Sequence, residues 1–145
     1  MERAGMVHAL DKIRGLLKPD GVLIDIHPTS EMATIEVRVG ERTTAAGWVR
    51  ETDDYSEYED ADRAVAKAVA DGLFRVERQA VFEFVWHADS LAELRDYLSE
   101  GWEDASIDEL TAGQIEALMS APERDKEIIV RETIHIARLR PLPVG

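Results

Sequence analysis

Two fourteen-residue stretches of this chain largely alternate between apolar and polar residues, and they limit the fold more than anything else in the sequence. From Phe74 to His87, the positions Phe74, Val76, Ala80, Phe82, Phe84 and Trp86 share one parity, and Arg75, Glu77, Gln79, Glu83 and His87 share the other, joined by Val81 and Val85. From Glu127 to Arg140, Ile128, Val130, Ile134 and Ile136 alternate against Arg131, Thr133 and His135. A period of two is the mark of a strand. Two such strands exclude an all-helical bundle. The Phe82, Phe84, Trp86 row reads as core, because no basic groove accompanies it to make a base-stacking platform.

The remaining elements follow from local signals. Met6, Val7, Leu10, Ile13, Leu16 and Leu17 place one apolar face on a helix over residues 3–17, which Pro19 and Gly21 end. Residues 22–26 are short and apolar except for Asp25, which predicts a central strand covered on both faces. Residues 32–50 read as a β-hairpin turning at Gly40-Glu41. Ser56 with Glu59 suggests a capping box ahead of an alanine-rich helix, and Ser90 with Glu93 a second one. A further helix begins at Ser106 or Thr111 and closes at Pro122. The order is α, β, β-hairpin, α, β, α, α, β. That order predicts an α+β fold, a mostly antiparallel sheet of about five strands with helices packed on it. With 145 residues and no composition break, residues 1–145 read as a single domain.

Composition removes several functions. Thirty acids against seventeen bases give a net charge of −13, which argues against a phosphate-backbone or anionic-lipid surface. There is no cysteine, hence no disulfide, thiolate zinc site or cysteine nucleophile. No apolar run approaches a membrane span and the start does not resemble a signal peptide, so a cytoplasmic protein is expected. Phosphate-loop, dinucleotide and nucleophile-elbow patterns are missing.

The candidate site residues are few. Asp25 and His27 lie two apart on one strand, so their side chains share a face and could pair, the carboxylate orienting the imidazole as a base. A carboxylate bonded to a backbone amide or a buried arginine is the favoured account of Asp25. Asp25, His27 and His87 are therefore the candidates for a substrate pocket. His27, His87 and His135 lie on or beside predicted strands and could converge on a metal or acid–base cluster, but their spacing supports no zinc motif, and no metal is expected. Seven acids crowd residues 51–62, where the calcium-loop pattern fails. Within them Asp53, Asp54, Glu57 and Glu59 form a candidate patch for a basic protein partner.

Residues 9–25, Ala-Leu-Asp-Lys-Ile-Arg-Gly-Leu-Leu-Lys-Pro-Asp-Gly-Val-Leu-Ile-Asp, resemble one part of the class I S-adenosylmethionine-dependent methyltransferases. In that family a helix, a Leu-Lys-Pro-Gly-Gly turn and the fifth strand follow one another; here Asp20 replaces the first glycine of the turn. The later order, with Asp71-Gly72-Leu73-Phe74 leading into a strand, is similar to the back half of that fold, with residues 32–50 as an inserted hairpin. The resemblance implies an antiparallel last pair of strands, the final one beside the fifth. The family's Gly-rich turn and ribose-binding acid have no matching positions. It therefore implies an interaction or substrate-binding module that binds no cofactor alone, taking S-adenosylmethionine only if a partner supplies the missing half. The chain could equally be the substrate-side half of a split or truncated enzyme. A homodimer, or a partner covering the 22–26 edge, would shield that strand.

Overall fold

The computed structural model describes residues 3–52 and 56–143. Four helices and seven strands follow in the order α1 (Arg3–Leu16), β1 (Leu23–Pro28), β2 (Thr34–Val39), β3 (Arg42–Trp48), β4 (Arg50–Glu51), α2 (Ser56–Ala70), β5 (Phe74–Ala88), α3 (Leu91–Gly101), β6 (Ala105–Ser106), α4 (Glu109–Met119) and β7 (Lys126–Pro141). The fold is α+β and mostly antiparallel, as the sequence predicts. The chain divides into two compact units. The first comprises Met1–Ser30, Tyr55–Phe82 and Thr133–Gly145; the second comprises Glu31–Asp54 and Glu83–Glu132. The long strands β5 and β7 pair with each other, and each runs through both units.

In the first unit β1 pairs antiparallel with the second half of β7, from Leu23↔Leu139 to Pro28↔Ile134. Helix α2 packs against both α1 and β1. Its contact residues Ala64 and Ala68 are buried, and such small side chains let a helix axis come close to a sheet. Phe74, Ala137 and Leu139 complete this core.

In the second unit β2 and β3 form the expected hairpin. Gly40 supplies the positive φ (59°) its turn needs, and a register shift falls between Ile35 and Glu36. β2 pairs antiparallel with the first half of β7, from Thr34↔Arg131 to Val39↔Lys126. Ile35, Val37, Ile128, Val130, Leu94 and Ile115 form the core. Ser90 caps α3 by accepting from the Glu93 amide at 3.1 Å, and Glu93 accepts from the Asp89 amide at 2.7 Å. Asp108, not Ser106 or Thr111, caps α4, accepting from the Thr111 amide at 2.8 Å. Lys126 satisfies carbonyls at the other end of α4, donating to Met119 and Ala121. Ser56 is the first residue of α2, and the residue before it lies outside the described residues.

Three expectations need correction. Strand β1 is not covered on both faces: Leu23, Asp25 and His27 are half-buried, whereas Ile24 and Ile26 are 48% and 58% exposed. Its one ladder among the described residues is to β7, which makes it an edge strand. The aromatic row of β5 is only partly core, since Phe82 and Phe84 are exposed and Trp86 alone packs against the second unit's interior. The even positions of β7 are not one buried face. Ile128 and Val130 are buried in the second unit, while in the first the odd positions Ala137 and Leu139 are buried and Ile134 and Ile136 are not.

Candidate functional site

The alternation of β1 sends Asp25 and His27 to the face on which α2 lies. The register then sets His27 directly opposite His135, with the imidazole centroids 5.2 Å apart and tilted by 47°. Opposite Asp25 stands Ala137, whose small side chain leaves room for the carboxylate. From α2, Asp62 reaches down so that its Oδ1 lies 2.6 Å from His27 Nε2. Two strands and one helix thus bring four polar side chains together in the first unit.

The inner atoms of this group are unusual. One ligand atom each from Asp25, His27 and His135 lies within 4.8 Å of the others. Asp25 Oδ2, His27 Nδ1 and His135 Nδ1 are all buried and have no hydrogen-bond partner. His27 Nδ1 comes within 2.9 Å of Asp25 Oδ2, an ion-pair distance without hydrogen-bond alignment. Buried polar atoms nearly always find a partner, and each one left without costs about 1–3 kcal/mol.

The electrostatics are equally marked. Asp25 raises the His27 pKa most, burial opposes the rise and Asp62 adds to it, carrying the group from 6.5 to about 9. The two carboxylates therefore favour the protonated form of His27. When Asp62 accepts from Nε2–H, the Nδ1 lone pair is directed at the space shared with Asp25 and His135. Tetrahedral nitrogen and oxygen ligands of a zinc-sized ion stand about 3.3 Å apart; His27 Nδ1 and Asp25 Oδ2 stand 2.9 Å apart, and the ligand atoms of the three residues lie within 4.8 Å.

The other predicted residues lie elsewhere. His87 does not join Asp25 and His27; it belongs to the second unit, is half-exposed and sits 3.2 Å from Glu127. Glu127 and Asp125 also hold Arg38, each at 3.0 Å, and that guanidinium lowers the pKa of Asp125. Of the acidic patch, Asp53 and Asp54 lie outside the described residues. Glu59 is paired with Arg63 in the next turn of α2 at 3.3 Å, as befits a solvated helix face. Burial, with a smaller repulsion from Glu51, raises the Glu132 pKa in the second unit.

Sequence reasoning named His135 among three histidines that could converge with His27, without joining it to Asp25, and it missed Asp62. Asp62 counted only as one of seven acids in a run, and nothing local distinguishes it. His135 fell on the polar parity of its strand, and only the pairing of β1 with β7 shows that this parity is the helix-covered one. Comparison with known proteins finds no matching family, no matching curated protein and no matching solved structure.

Proposed function

We propose that this chain is a metal-binding protein, its ion held by Asp25 Oδ2, His27 Nδ1 and His135 Nδ1, with Asp62 orienting His27. The observation that carries the reading is the convergence of Asp25, His27 and His135, whose ligand atoms lie within 4.8 Å of one another, with the buried His135 Nδ1 left without a partner. A cation would give His135 Nδ1 a partner and take the place of the His27 proton that faces Asp25. Two imidazoles and one carboxylate suit first-row divalent ions such as zinc(II) or iron(II), and three protein ligands leave positions for water or a substrate. Calorimetry on chelator-treated protein with zinc(II) tests it. One ion per chain is expected, bound at least tenfold more weakly by His27→Ala and by His135→Ala, with both variants folded by circular dichroism. Absence of binding above background, or variants that bind as the wild type does, would overturn the metal reading. Absence of binding would leave Asp25, His27 and Asp62 as an acid–base array.

A second reading is the one the sequence resemblance suggests, a methyltransferase-like half-domain serving as an interaction or substrate-binding module. Its support is that β7, the final strand, lies antiparallel beside β1, and that β1 keeps a free edge among the described residues. A second copy or a partner holding the cofactor half would cover that edge. This reading expects no binding of S-adenosylmethionine by the chain alone in calorimetry, and self-association in sedimentation. Micromolar cofactor binding would contradict it.

A further inference from the structure

The same alternation that turns Asp25 and His27 inward turns Ile24 and Ile26 outward in the first unit, and they are half or more exposed. Beside Ile24 the outer face of this sheet holds a groove of about 310 Å³, lined by Ile24, Arg78, Gln79, Ala80, Ile136 and Arg138. Small-molecule pockets start at about this size and combine an apolar lining with a few placed polar groups. Here the apolar part is aliphatic, and the polar part is cationic.

The charge is the informative part. The chain carries thirty acids and seventeen bases, yet no acid lines this groove. Arg138 points its Nε at Glu77 Oε2 at 2.9 Å, and its two Nη groups make no ion pair with a described residue. Arg78 makes no ion pair or hydrogen bond with any described residue, although Glu77 next to it gathers Arg75, Arg138 and Arg140. The groove is a local reversal of the protein's sign over an apolar floor. That combination selects one ligand chemistry, an anionic head with an aliphatic body. Guanidinium forks match carboxylate geometry in particular.

We propose that this groove binds a free amphipathic carboxylate, its alkyl chain on Ile24, Ala80 and Ile136 and its head between Arg78 and Arg138. The site stands apart from the metal cluster, because the two use opposite faces of β1.

The test is calorimetry of the full chain with decanoate, with decyltrimethylammonium and phosphatidylglycerol vesicles as comparisons. Saturable binding of one decanoate per chain is expected, weakened about tenfold in Arg78→Gln. Ile24→Ser, a change at an exposed position, should weaken it several-fold and leave zinc(II) binding unaltered. Equal binding of the ammonium amphiphile, or decanoate binding untouched by Arg78→Gln, would overturn the proposal. So would binding to vesicles but not to decanoate. Self-association that Ile24→Ser abolishes and decanoate does not disturb would also overturn it, assigning the face to a second copy of the chain.

Discussion

His27 is the residue on which the first unit's chemistry turns. It touches a carboxylate on each side, Asp25 at 2.9 Å and Asp62 at 2.6 Å, and faces a second imidazole. In the metal-free protein its folded pKa of about 9 lies above the unfolded value of 6.5. The folded state therefore binds the proton more tightly. The resulting stabilisation is fully present below pH 6.5 and is lost as pH rises through 9, on the order of 3 kcal/mol in all. Urea midpoints of metal-free protein at pH 6 and pH 10 should show the decline, and His27→Gln should flatten it. If an ion is bound, Asp62 would act on it through His27. Asp62→Asn should lower zinc(II) affinity about 10–100-fold, with Asp62→Glu recovering part of the loss. The Asp25–His27 pairing is legible from the sequence because a separation of two fixes a common face whatever the register. The contribution of His135 is not, since it depends on a strand pairing between residues 108 apart.

At the scale of elements, the site exists because α2 lies close to β1. Ala64 and Ala68 set that approach. Ala68→Leu overfills a fully buried position, so it should cost about 1–3 kcal/mol in denaturant melts and weaken zinc(II) binding by lifting Asp62 away from His27. In the second unit Gly47 has φ 152°, and a Cβ there would run into the side chain of Thr111. Gly47→Ala combines a strained backbone with a clash and should destabilise the protein by about 2–4 kcal/mol, read as a lower urea midpoint. The start of α3 is readable from the sequence, because Ser90 and Glu93 carry their capping chemistry within a few residues, whereas the Asp108 cap of α4 is not singled out there. The two-faced burial assigned to β1 failed for the opposite reason. Val22, Leu23, Ile24 and Ile26 are apolar, but an apolar side chain does not say whether anything covers it. In the structure nothing described covers Ile24 or Ile26, and that exposure creates the groove.

Considered as a whole, the molecule has two cores and two strands that serve both. The buried parity of β7 changes between the units, from Ile128 and Val130 to Ala137 and Leu139. The sequence carries this change, with Arg138 and Arg140 at even positions and Ala137 and Leu139 at odd ones, but a single parity assigned to the whole strand passes over it. No helix among the described residues is long and apolar enough to cross a membrane. A metal held by β1 and β7 in the first unit would act on one unit selectively. Zinc(II) should slow amide exchange along Leu23–Pro28 and their partners Ile134–Leu139, and leave the β2–β3 hairpin unchanged in exchange mass spectrometry. The account as a whole stands on those three inward-facing atoms. The most direct measurement is anomalous scattering from a crystal grown with zinc(II). The account predicts one strong peak about 2.0–2.2 Å from Asp25, His27 Nδ1 and His135 Nδ1; a map with no peak there, or with zinc only on exposed carboxylates, would contradict it.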